Sequence, residues 1–113
     1  MDSKEFAKLA KSLKMPSGTE VKERTYPAHH LAAVWSKSGG HAGAKVIARV
    51  TENARKLGFK DSKFDLTGNG DGSVMGQKAY LRNDDGVLLE WSKSYGATKA
   101  YNYFSLTLRF DIA

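Results

Sequence analysis

A chain of 113 residues, 41% of them apolar and 11% aromatic, is about one domain long and can bury a core without covalent staples. It holds no run of about 18 apolar residues that would cross a membrane. Its first residues, Met1 to Leu13, lack the continuous apolar stretch of a secretory signal. The absence of cysteine excludes disulfides and thiolate metal sites, and a reduced, cytoplasmic setting fits that composition. The net charge of +6 is unevenly spread: Met1 to Lys60 holds twelve lysines and arginines against five carboxylates, a net +7, and the rest of the chain nets −1. Such asymmetry suits a polyanionic partner, and it equally suits a surface that only keeps the protein in solution.

Ser3 to Leu13 reads as a helix, with Phe6, Leu9, Ala10 and Leu13 on one stripe. Asp2, with Glu5 three residues on, marks its start, and Met15-Pro16-Ser17-Gly18 ends it. Thr19 to Thr25 is charged, with Val21 its one apolar candidate, which suits an edge strand or an extended arm. Pro27 fits the first position of a second helix running to about Lys37, with Leu31, Val34 and Trp35 inward. A Gly/Ser-rich break, Ser36 to Gly43, separates it from a third helix ending at Leu57. Val46, Ile47, Val50, Ala54 and Leu57 form that helix's inner stripe. Gly58 suits the left-handed closing residue, with Phe59 packing back.

The period then changes from 3.6 to 2. Phe64 and Leu66 alternate with Lys63 and Asp65; Thr67 to Gly72 reads as a turn; Ser73 to Asn83 reads as a strand. Asp84-Asp85-Gly86 is a hairpin signal, leading to a strand with Val87, Leu89 and Trp91 on one side. After a turn at Tyr95 to Thr98, Phe104, Leu106, Leu108, Phe110 and Ile112 alternate strictly with polar neighbours. The pattern predicts a single α+β domain over residues 1–113: two or three N-terminal helices packed on one face of a four-stranded antiparallel meander.

Two surfaces emerge as candidates for binding nucleic acid. The first is helical, with Lys4, Lys8 and Lys11 on one helix and Lys45, Arg49 and Lys56 on another. The second is the uncovered sheet face, where Lys78, Tyr80 and Arg82 and then Tyr101, Tyr103 and Arg109 point away from the helices. Cations interleaved with aromatic rings are the composition of a base-stacking platform. The same residues suit a solvated strand face or a protein interface.

The Gly/Ser break offers an anion site at Ser38, Gly39, Gly40 and Lys45, at the amino end of a helix. It lacks P-loop spacing, and the plain alternative is a flexible connection. His29, His30 and His41 form no metal-binding spacing. Thr67 to Gly72 brushes against a calcium loop, but Thr67 stands in the first ligand position and Lys78 in the twelfth. No catalytic residue, metal or cofactor is therefore assigned. The expected function is that of a small, basic, non-enzymatic protein binding DNA or RNA. Two alternatives stand beside it: an interaction or inhibitor module of a phage or other mobile element, meeting an acidic protein partner, and a small metal-independent ribonuclease built on a histidine.

Overall fold

The computed structural model describes residues 1–68 and 75–112. Elements follow one another as α1 (Ser3–Ser12), β1 (Glu20–Arg24), β2 (His30–Ser38), α2 (Ala42–Lys56), β3 (Lys60–Gly68), β4 (Met75–Arg82), β5 (Leu88–Tyr95), a 3-10 turn (Lys99–Tyr101) and β6 (Tyr103–Asp111). Among the described residues the strands form one six-stranded antiparallel sheet in the order β1-β2-β6-β5-β4-β3. The α+β class and the four-strand meander, β3 to β6, match expectation. The sheet is nevertheless wider, because β1 and β2 add to the outer side of β6.

The main correction concerns Pro27 to Lys37, where the sequence suggests a helix and β2 is found. Leu31, Val34 and Trp35 fit a helical stripe, but Leu31, Ala33 and Trp35 fit a strand equally well. β2 lies between β1 and β6, and His30, Leu31, Ala32 and Ala33 are all buried. A short apolar run buried on both faces carries no diagnostic period. Pairing on two sides therefore outweighs the helical preference of its alanines. The charge excess of residues 1–60 is accordingly shared between helices and strands: Lys22 and Arg24 sit on β1, Lys37 on β2.

The two helices form as their ends dictate. Asp2 Oδ1 accepts the Glu5 N–H at 2.8 Å and caps α1. At its other end Lys14 adopts φ 56°, and Met15 N–H donates to Ala10 O at 3.2 Å. α2 closes in the same way: Gly58 has φ 94°, and Phe59 N–H donates to Ala54 O at 2.9 Å. Phe59 is thereby turned into the core, as its position after Gly58 predicts.

The core lies between the helices and one sheet face. Phe6 and Ala10 of α1, Leu13 at its end, and Ile47, Val50 and Ala54 of α2 meet Leu31, Ala33, Leu81, Leu89, Phe104, Leu106 and Leu108. Position 43 sets how closely α2 approaches: a Cβ there would lie 2.4 Å from Phe104 Cδ2, so only glycine allows the observed contact. Asn53 Nδ2 donates to Leu13 O at 3.0 Å and ties α2 to the end of α1. The helices cover the β2–β6 half of the sheet and leave β3 bare. Phe64 and Leu66 share the helix-side face with Ala79 and Trp91 by register, yet remain 56% and 64% exposed. The expectation that the helices cover the whole apolar face fails at this strand. The turn expected at Thr67 to Gly72 starts later, since β3 runs to Gly68. The remainder of that turn and the start of the strand placed at Ser73 lie outside the described residues.

Candidate nucleic-acid interface

Register assigns the cations to two sides of the molecule. On the open sheet face lie Lys22, Arg24, Lys60, Lys63, Lys78, Arg82 and Arg109, as strand alternation requires once Leu81, Leu89, Leu106 and Leu108 face the helices. Four of these seven are neutralised locally. Lys22 meets Glu20 at 2.6 Å, Lys63 meets Asp65 at 3.5 Å, Lys78 meets Glu90 at 3.1 Å, and Arg109 meets Asp111 at 2.6 Å. The Glu90 hydrogen bond and charge hold the Lys78 ammonium above the ordinary lysine range. Lys22 holds the Glu20 carboxyl below the usual carboxylate range in the same way, by hydrogen bond first and charge second.

The rings expected to form a stacking platform are dispersed. Tyr80 and Tyr103 do share the open face. They are two strands apart, and Tyr103 lies four residues along from Thr107, which is level with Tyr80. Strand spacing and rise place them about 17 Å apart, far beyond the roughly 4.5–7 Å of neighbouring stacked rings. Tyr101 is not on a strand at all: it sits in the 3-10 turn, 72% exposed. Between them the face is small and polar, with Ser92, Ser94, Ser105 and Thr107 half-buried.

The helix-layer side differs. Lys4, Lys8 and Lys11 are exposed on α1 and Lys45 and Arg49 on α2. None of them has a carboxylate within 4.0 Å among the described residues; Lys56, by contrast, pairs with Glu52 at 3.6 Å, and Arg55 with Asp61 at 3.2 Å. Three further cations, Lys37, Lys93 and Lys99, have no carboxylate partner within 4.0 Å among the described residues, and their backbones lie near the amino end of α2. Lys37 and Lys93 are the register partners of Phe104 on either side, and Gly43 of α2 stands directly over that ring. Lys99 O accepts the Gly40 N–H at 3.0 Å, which brings the 3-10 turn to the same place. His41, the residue before the helix, supplies no side-chain cap, so the first amides of α2 lack that partner.

This arrangement corrects the proposed anion cradle in part. Lys45 is exposed there, but the Gly39 and Gly40 amides are already used: Gly39 N–H donates to Asn102 O at 2.8 Å and Gly40 N–H to Lys99 O. Ser38 ends β2 as an exposed residue. Asn102, buried, organises the region from beneath. Its Nδ2 donates to Gly40 O at 2.7 Å, and its Oδ1 accepts the Gly96 N–H at 3.3 Å. The sequence offers no periodic signal for this residue, since its role depends on loops 62 residues apart in the chain.

The three histidines stay separate. His29 Nε2 lies 2.6 Å from Glu23 Oε1 on the exposed β1–β2 side. His30 is buried, with Nδ1 2.7 Å from Ala28 O. His41 lies beside Tyr95, with ring centroids 6.4 Å apart. The described residues include no group of three or more metal-binding side chains and no helix long and apolar enough to cross a membrane. A feature missed by pattern reading is the bare patch at β3. Phe64 packs at 6.1 Å from Trp91, and Lys93 Nζ stands 4.9 Å above the same indole. A cavity of about 430 Å³ opens there, bounded by Phe64, Trp91, Ala79 and the Arg55–Asp61 pair. No protein-family model, curated protein or solved structure matches the chain.

Proposed function

We infer that the chain is a small non-enzymatic nucleic-acid-binding protein that holds the phosphate backbone of DNA or RNA on its helix-layer side. The observation behind this reading is the distribution of unpaired charge. Cations paired with a carboxylate at 2.6–3.6 Å add little to the field at a distance. Lys4, Lys8, Lys11, Lys45 and Arg49 have no such partner among the described residues, and Lys37 and Lys93, likewise without one, lie on the same side of the sheet by register. Phosphate binding needs cations and backbone N–H groups directed outward, and it needs no base-specific geometry. The separation of Tyr80 from Tyr103 argues against the sheet face as a stacking platform.

The test is fluorescence anisotropy with labelled single- and double-stranded oligonucleotides over a salt series. Each phosphate contact contributes a slope of about −0.9 on double-stranded DNA and about −0.7 on single strands in log K against log salt. Lys45→Glu with Arg49→Glu should weaken binding and flatten the slope by roughly two contacts. Lys78→Glu with Arg109→Glu, on the sheet face, should leave both largely unchanged. Affinity indifferent to salt, or lost equally in the two double variants, would reject this reading.

A second reading, a module meeting an acidic protein partner, draws on the same unpaired cations together with the bare Phe64 and Leu66. Co-purification with and without nuclease treatment separates the two: a discrete protein retained after nuclease favours the second.

A further inference from the structure

We propose that β3 is the interface for a second copy of this chain, with two β3 edges pairing antiparallel about a two-fold axis at Phe64. β3 ends the sheet, pairing with β4 on one side and, among the described residues, with nothing on the other. It is nine residues long, against a usual strand of about 5–6. A long edge strand carrying exposed Phe64 and Leu66 is a ready template for another strand. The opposite edge, β1, is protected: four of its five residues are charged, and pairing about its middle residue would set Lys22 against Lys22.

The charges on β3 select both the partner and the register. In a two-fold antiparallel pair, facing residues point to the same side of the sheet, so the axis must pass through a residue. Centred on Phe64, each Lys63 faces Asp65 of the second copy. The existing Lys63–Asp65 pair at 3.5 Å then becomes a four-charge cluster on the open face. Centred one residue earlier, Lys63 faces Lys63; one residue later, Asp65 faces Asp65. Like charges directly opposite oppose pairing. On the helix side the two Phe64 rings meet at the axis, beside Trp91. The bulge between Asp61 and Lys63 lies before these central pairs and leaves Lys63 to Asp65 regular. So short a ladder buries little area, which places the dimer at the weak end of specific interfaces, below about 1,200 Å².

Sedimentation equilibrium from about 1 µM to about 1 mM, the range of weak interfaces, tests this directly. The wild-type chain should pass from monomer to dimer. Lys63→Glu and Asp65→Lys should each weaken self-association by about tenfold or more, because each places like charges across the axis. Mixed in equal amounts, the two variants should form a heterodimer. Position 63 of one copy, now acidic, then faces position 65 of the other, now basic, while the unchanged Asp65 of the first faces the unchanged Lys63 of the second. Circular dichroism should show both variants folded, as the side chains are exposed or half-buried. A wild-type chain that stays monomeric overturns the proposal. So do single variants that dimerise like the wild type, a mixture that fails to pair, or open-ended oligomers of the kind that β1–β3 pairing would build.

Discussion

Replacing Gly43 with alanine tests the contact on which the position of α2 depends. An added Cβ would lie 2.4, 2.5 and 2.7 Å from Phe104 Cδ2, Cγ and Cβ, where ordinary contact begins at 3.4 Å. Helix or ring must therefore give by about 1 Å, on the steep side of the van der Waals well. The ring has little freedom: Phe104 is fully buried and meets Tyr95 edge-on at 5.8 Å. Overpacking of this kind costs about 1–3 kcal/mol. The better helix propensity of alanine returns up to about 1 kcal/mol. The net expectation is a loss of about 1–2 kcal/mol, or roughly 4–10 °C in Tm for a chain of this size. Urea denaturation followed by far-UV circular dichroism should show a lower midpoint at unchanged slope. Phe104→Leu makes room at the contact point, so Gly43→Ala should cost less in a Phe104→Leu background than in the wild type. A Gly43→Ala chain as stable as the wild type, or strict additivity of the two changes, would refute the idea that this contact seats the helix.

Asn102→Ala removes the bonds to Gly40 O and from Gly96 N–H and should cost about 1–3 kcal/mol, with hydrogen exchange at the Gly39–Gly40 and Gly96 amides accelerating first. Uniform acceleration across the sheet would instead mean that Asn102 supports the fold globally. The raised Lys78 also predicts a pH dependence. Its folded value exceeds the unfolded one, so its contribution is complete below the unfolded value of about 10.4 and is lost as pH rises through the folded value. Melting curves from neutral to strongly alkaline pH should fall less steeply in Lys78→Gln than in the wild type. The difference should be small, because both Lys78 and Glu90 are partly solvated. Identical curves would show that the pair contributes nothing measurable.

α1, α2 and β6 were legible in the residues because each has a single solvated face and a cap or turn at its end. Asp2, Gly58 and the alternation from Phe104 to Ile112 all function as their types require. β2 was not legible for the opposite reason. A strand buried on both sides has no polar phase, so the stretch from Leu31 to Trp35 fits either period. Phe64 and Leu66 show a different limit. Alternation identifies the strand, but whether a helix lies above it depends on where α2 crosses the sheet. Cross-strand pairs were equally hidden: that Lys78 meets Glu90 follows from the β4–β5 register, which decides which cations remain unpaired. Both candidate surfaces therefore changed meaning on folding. The Tyr/Arg face lost Tyr101 to a turn and much of its charge to carboxylates, while the helical face kept most of its cations and gained Lys37 and Lys93.

The two proposed surfaces are geometrically linked. A two-fold axis that joins two antiparallel edges into one sheet stands perpendicular to that sheet, so both helix layers fall on the same side. Lys45 and Arg49 of each copy would then face one direction, while the partly neutralised open faces would form a second continuous surface behind them. A strand of nucleic acid spanning both layers would engage the second copy at a high effective concentration, so a weak β3 contact would suffice to raise its affinity. Under that arrangement Lys63→Glu weakens nucleic-acid binding without touching a phosphate, and its effect disappears on an oligonucleotide too short to hold two copies. Loss of binding from direct charge removal persists at every oligonucleotide length. The length dependence of that single variant thus separates a role in assembly from a role in contact, and keeps the failure of one proposal from being mistaken for the failure of the other.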